Sequence, residues 1–217
     1  MKLNLNKILS AISWTVAILF LLGFLRFFPS VGLKISNNNK GINYLNISKD
    51  IYYEQTLNNC GPYSVMAVIN ILKGDEKDPE ILAKEMKWRT VTTVTFPQGI
   101  IDLLHKYDIG TEEYSLKFYS TENKVAWLKE QIDNGKPIIL FVKLKYSQHY
   151  FTIVGYDESG FMIYDSSQER QDEKSKKTKV DRKEYAGNRY YTNNELMEIW
   201  NKGGYVLFFK NWAVVCS

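Results

Sequence analysis

One of the two cysteines, Cys60, stands in the run Gln55-Thr56-Leu57-Asn58-Asn59-Cys60-Gly61-Pro62, at the foot of an apolar helical pattern. One of the two histidines, His149, opens a strand-like run far downstream, and Asp165 closes the next run. A thiol, an imidazole and a carboxylate are the parts of an activated nucleophile that attacks a carbonyl and is acylated. A free thiol titrates near about 8.5, so little of it is anionic at neutral pH. A helix N-terminus favours the anion through its partial positive charge and unpaired N–H groups. Cys60 is expected there, with Asn58 and Asn59 as candidate caps and Pro62 in the first turn.

Strand alternation puts His149, Phe151 and Ile153 on one face and Tyr150, Thr152 and Val154 on the other. Asp165 shares a face with Ile163 and Phe161, and the turn Asp157-Glu158-Ser159-Gly160 folds the two runs into a hairpin. Asp165 is thereby expected within a residue or two of lying opposite His149, where a carboxylate fixes the tautomer and orientation of an imidazole. Gln55 is a candidate donor to the oxyanion of acyl transfer, alongside the backbone N–H of Cys60. Plainer readings stand beside these: a buried structural cysteine, a satisfied sheet histidine, a turn aspartate and a loop glutamine. Cys60 and Cys216 are also a candidate disulfide, which would silence the nucleophile. A zinc site on Cys60, His149 and Asp165 lacks a fourth ligand, and His105 reads as structural or exposed. No metal or cofactor is called for.

These residues need elements to hold them. Periodicity predicts helices over 61–73, from Pro79, over 100–107, over 122–133 capped by Thr121 or Ser120, and to Asn201 after a Thr192 or Asn193 cap. In the second of these, Ile81, Leu82 and Met86 are expected to face inward. Strands are expected over 114–119, 137–144, 149–156, 160–165 and 205–210, the second apolar enough for the middle of a sheet. Glu169 to Glu184 carries seven basic and five acidic residues and one apolar residue, Val180; it reads as a solvated excursion between strands. Helices first and an antiparallel sheet afterwards make an α+β fold.

The 217 residues, 45% of them hydrophobic, suffice for one domain and an extra element. A formal charge of +4, scattered along the chain, does not argue for nucleic acid, and no binding motif for it occurs. The run Ile8 to Leu25 follows Lys2 and Lys7 and is broken only by Ser10, Ser13 and Thr15. A run of about 18 or more apolar residues is long enough to cross a bilayer, whereas a secretory signal has an apolar region of about 7–15. The expectation is a transmembrane anchor or signal segment over 1–30, with a cleaved signal and a buried core helix as the alternatives. Either membrane reading puts the rest of the chain outside the cytoplasm. A linker over 31–48 then leads to a domain over 49–217, with a charged insert at 168–185.

In Gln55…Asn59-Cys60-Gly61-Pro62, His149-Tyr150-Phe151-Thr152-Ile153-Val154-Gly155-Tyr156-Asp157 and Tyr164-Asp165-Ser166, the chain resembles the C39-type, bacteriocin-processing-like branch of papain-like cysteine peptidases. The resemblance covers about residues 48 to 167. It implies a papain-like fold, with the nucleophile helix packed on a carboxy-terminal antiparallel sheet. It also implies a thiol peptidase acting on a peptide or protein, with Cys60 as nucleophile, His149 as base, Asp165 as orienter and Gln55 in the oxyanion hole. The same residues admit an amidase or acyltransferase on cell-wall or other peptides, or an idle binding or immunity module. The substrate sequence and the oligomeric state are left open.

Overall fold

The computed structural model describes residues 5–26, 40–145, 147–167, 178–205 and 208–217, with side chains of the first helix from 7 to 21. Helices α2 (Cys60–Lys73), α3 (Pro79–Glu85) and α4 (Pro97–Lys106) come first after α1 (Leu5–Arg26) and the short strand β1 (Asn43–Tyr44). Next come β2 (Thr111–Ser115), α5 (Thr121–Asp133), β3 (Ile138–Lys143), β4 (Gln148–Tyr156) and β5 (Gly160–Tyr164). The chain ends in β6 (Arg189–Thr192), α6 (Asn193–Lys202) and β7 (Trp212–Cys216). Among the described residues the sheet runs β2-β7-β3-β4-β5-β6, antiparallel at each pairing, and β1 joins β4 at Gly155 and Tyr156.

Side-chain parity assigns the two faces. Ile139, Phe141, Tyr150, Val154, Tyr164 and Val214 point to one core with α2, α3 and α4. Ile138, Leu140, Val142, Phe151, Ile153 and Val215 point to a second core with Trp127 and Leu128 of α5 and Leu196 and Trp200 of α6. Because both faces are covered, β3 reads as an unbroken apolar run although its pairings are antiparallel.

Local chemistry sets the helix ends. Asp78 caps α3 with Pro79 at its first position, Ser120 caps α5, and Thr192 with Glu195 forms a capping box on α6. Gly74, at φ +70°, ends α2 in the left-handed region that a glycine adopts without strain.

Several expectations are corrected. Of the strand expected over 205–210, 206–207 lie outside the described residues and Tyr205 pairs with Phe208 alone; the strand that enters the middle of the sheet is Trp212–Cys216. The strand expected at 114–119 lies earlier, at Thr111–Ser115, and β6 was not foreseen. Ile81 faces solvent, 51% exposed, while Leu82 and Met86 are buried. No disulfide forms: both cysteines are free, Cys60 at the start of α2 and Cys216 buried in β7.

Within the stretch read as a linker, residues 43–44 already pair with the sheet. Of the charged insert, 168–177 lie outside the described residues. Its return is tied down rather than wholly solvated: Thr178 N–H donates to Tyr52 O (2.8 Å), and Gly187 N–H donates to the Tyr52 hydroxyl (2.8 Å).

The transmembrane helix is not supported: among the described residues no helix is long and apolar enough to cross a membrane. Ile12, Trp14, Leu19 and Phe20 are nevertheless more than half exposed on α1.

Trp200 is fully buried, and its indole N–H donates to Trp212 O (3.0 Å), fastening α6 to β7. Trp200→Ala is expected to cost about 3–5 kcal/mol, read as a lowered midpoint of urea unfolding at unchanged slope.

Candidate active site

The pairing of β5 with β4 stops at Thr152 and Tyr164, and beyond that rung the two strands part. The segment leading into α2 enters the gap. Gln55 N–H donates to Ser166 O (2.9 Å) on the β5 side, and Tyr150 N–H donates to the Cys60 sulfur on the β4 side. α2 is fixed against β4 by Thr152, whose hydroxyl donates to Ser64 O (3.1 Å). The helix covers one face of the sheet while His149 belongs by alternation to the other. Thiol and imidazole therefore meet at the end of the sheet, where β4 has no β5 beside it.

His149 and Asp165 come together as the hairpin implies. Imidazole Nε2 and carboxylate Oδ1 are 2.7 Å apart, and both side chains are buried. The register sets Asp165 one residue past the last rung, diagonal to His149. With Nε2 on the carboxylate, Nδ1 is left as the ring nitrogen for the hydrogen bond that His149 shares with Cys60.

Each of the three groups is shifted toward its ionic form. Burial would raise the Cys60 thiol, but the hydrogen bond and charge of His149, with the N–H groups of Tyr150 and Gly61, hold it below its ordinary value. Burial likewise opposes the imidazolium; Asp165 first, and then Cys60, carry His149 well above the usual histidine range. Burial opposes the Asp165 carboxylate, which His149, Arg189 and the Ser167 N–H together depress. Cys216 has only burial acting on it and is pushed up.

Asn58 and Asn59 do not cap α2. Asn59 occupies the cap position without a side-chain bond to the helix, and Asn58 adopts φ +59°. The first-turn N–H groups are thus not taken up by a cap side chain. Pro62 has no N–H to satisfy, and a Cβ on Gly61 would press on Thr95 at 3.1 Å.

Two residues essential to this geometry escaped the sequence reading. Asn188 clasps the Asp165 backbone, its Oδ1 accepting from Asp165 N–H (2.8 Å) and its Nδ2 donating to Asp165 O (2.7 Å). The same Nδ2 donates to Thr178 Oγ1. Arg189, buried in β6, sets Nε 4.0 Å from Asp165 Oδ2, the oxygen that His149 leaves open. The signal available was Asn188-Arg189-Tyr190-Tyr191, a strand-like run just after the charged stretch.

A narrow slot over Cys60 is lined by Asn58, Val94, Thr95, Phe141, Gln148, Tyr150 and Tyr205. Gln55 lines a different, larger cavity of about 690 Å³ with Thr56, Tyr63 and Glu80, and its Oε1 accepts from Ser166 Oγ (2.9 Å). Cys60, His149 and Asp165 are joined through the imidazole, whereas Gln55 stands on the neighbouring cavity. The unequal thiols make a test that needs no substrate. At about pH 6–7, iodoacetamide is expected to label Cys60 at least roughly tenfold faster than Cys216 in folded protein, read by peptide mass mapping. Equal rates would contradict an activated thiolate.

The model of the Peptidase_C39 like family matches residues 44–197. Among solved structures, a C39-like peptidase from Bacillus anthracis superposes with a TM-score of 0.50 at 13% identity, over 80% of this chain and 97% of that one. The peptidase domain of Streptococcus ComA, a bi-functional ABC transporter of a quorum-sensing pathway, gives 0.48 at 16% identity, over 76% and 98%. A double-glycine-motif protease from an AMS/PCAT transporter, solved with its leader peptide, gives 0.49 at 12% identity, over 85% and 98%. No curated protein matches the sequence. The family match spans most of the chain and takes in the cysteine, the histidine and the aspartate alike: this protein belongs to the C39-like family of papain-like cysteine peptidases.

Proposed function

We propose that the protein is a cysteine peptidase that cleaves a peptide or protein through an acyl-enzyme on Cys60. The observation that carries this is the buried His149–Asp165 contact of 2.7 Å with the Cys60 thiol bonded to the same ring. In the resting ion pair the thiol proton sits on His149. The thiolate attacks the scissile carbonyl, and the oxygen takes the negative charge. His149 then gives its proton to the leaving amine as the C–N bond breaks, leaving a thioester on Cys60. A water, deprotonated by His149, attacks the thioester and releases the acid product and the thiol. The Cys60 N–H at the start of α2 is the natural oxyanion donor. We assign the second donor to Gln55: the Ser166 hydroxyl donates to its Oε1, which fixes the amide with Nε2 as its donor end.

We further propose that the domain works outside the cytoplasmic membrane, held at the lipid surface by the apolar amino-terminal segment, or secreted if that segment is cleaved. The exposed apolar side chains of α1 support this. Recovery of the protein in the cytoplasmic fraction alone, with none on the outer membrane surface or in the medium, would contradict it.

Cys60→Ala is expected to lower peptide cleavage by on the order of 10⁴ or more, and Asp165→Asn by about 10²–10⁴. Gln55→Ala is expected to lower kcat by about 10²–10³ with KM little changed. The measurement is a cleavage profile on a peptide library for native and variant proteins, and a native protein no faster than Cys60→Ala would sink the reading. The active ion pair exists above the lowered thiol pKa and below the raised imidazole pKa. The rate is thus expected to fall on the acid side as Cys60 is protonated and on the alkaline side as His149 loses its proton. An activity that merely climbs toward alkaline pH would mean that the thiol is not activated.

A further inference from the structure

Two turns meet beside the slot over Cys60, with Asn58 Nδ2 donating to Thr92 O (2.7 Å), and both are held in unfavourable backbone. Asn58, two residues before the nucleophile, has φ +59°, and Thr93, in the loop between α3 and α4, has φ +65°. Left-handed backbone at a residue other than glycine persists only where its surroundings enforce it. A side chain from outside both turns, Arg89, bonds to each of them. Arg89 donates through Nη2 to Asn59 Oδ1 (2.5 Å) and Asn58 O (3.3 Å) on the nucleophile side. It donates through Nε and Nη2 to Thr93 O (2.9 and 2.6 Å) on the second turn, and through Nη1 to Ala83 O (3.1 Å).

We propose that Arg89 is a positioning residue of the thiol site, clamping together the two turns that border the slot and setting a fixed positive charge near the Cys60 sulfur. The proposal rests on the reading of Cys60 as the nucleophile. A planar guanidinium suits this task because its donors leave in fixed directions and can serve several carbonyls together. Asn59 carries the clamp further: its Oδ1 takes the Arg89 bond, while its Nδ2 donates to Thr56 Oγ1 (2.6 Å) and Glu80 Oε2 (3.2 Å). That is why Asn59, at the cap position, does not cap α2. The loop spends its amide on holding the approach to Cys60.

The charge is placed to matter as well. Burial works against the guanidinium, and the two anions that favour it are the Cys60 thiolate and Glu80. The attraction is mutual, so Arg89 favours the thiolate as the thiolate favours Arg89. The other groups that face the sulfur are His149, which carries the opposing charge, and the Tyr150 and Tyr205 hydroxyls, both pushed up by burial and by the thiolate.

The test uses Arg89→Ala and Arg89→Lys in the full chain, with two readouts. The first, free of substrate, is the pH dependence of iodoacetamide labelling at Cys60, with Cys216 as internal control. The second is kcat and KM on a cleaved peptide, with and without millimolar guanidinium. Arg89→Ala is expected to move the labelling midpoint up by about 0.5–1 pH unit. It is expected to lower kcat about 10–100-fold with a smaller change in KM, partly restored by guanidinium. Arg89→Lys keeps the charge but cannot bridge the carbonyls, so it is expected to keep the labelling midpoint and still lose kcat by about tenfold. If Arg89→Ala does not fold, that split in the lysine variant decides the matter. Labelling and kcat both within about twofold of native in either folded variant would overturn the clamp, as would a kcat loss in Arg89→Ala with an unmoved midpoint and no rescue. A native protein whose Cys60 labels no faster than Cys216 would instead overturn the peptidase reading beneath it.

Discussion

Everything at the thiol depends on two strands that pair and then separate. From Gly160 to Tyr164, β5 runs hydrogen-bonded along β4, and past Thr152 it lets go. A sheet that stayed closed would consume the Tyr150 N–H and keep α2 on its own side of a continuous layer. Because it opens, a helix from one face can offer its first residue to an imidazole that the strand's alternation assigns to the other. The site is therefore a property of the end of the sheet, and neither face could build it alone.

Holding strands apart leaves backbone groups without a ladder, and the chain supplies other partners for them. Gln55 N–H takes Ser166 O, and Asn188 serves both the N–H and the C=O of Asp165 as a neighbouring strand would. Arg189 then meets the carboxylate from the far side of His149. An acid buried with two cationic neighbours stays ionised where an isolated one would take up a proton. The return of the charged insert is thus part of what keeps the imidazole oriented, although it is the least core-like stretch of the domain by composition.

The meeting of Cys60, His149 and Asp165 was legible in the sequence because it rests on residue types in local patterns. Cys60 before a helix, His149 at the start of a strand and Asp165 at the end of the next are each set by periodicity and one turn, and the register follows by counting. The helices were legible for the same reason, through Asp78-Pro79, Ser120 and Thr192. What escaped depends on tertiary pairing. Asn188 and Arg189 act by filling the place of an absent strand, which no spacing announces. Trp212-Ala213-Val214-Val215-Cys216 was passed over because it lies at the chain's end, while the aromatic run from Tyr205 looked more like a strand than it is. Asn59 looked like a helix cap, and only the position of Arg89 shows why its side chain turns elsewhere.

The placement of β7 has a bearing on how the molecule comes to exist. It lies between β2 and β3, which are near each other in the chain, yet it is drawn from nearly a hundred residues beyond β2. Until residues 212–216 slot in, β2 and β3 have bare edges, and the floor beneath α2 lacks Trp212 and Val214. Closing so long a loop is slow compared with winding helices or zipping a hairpin. A nascent chain can thus assemble its histidine–aspartate hairpin well before the platform under the cysteine is complete, so the sulfur ripens late, after the rest of the domain has emerged.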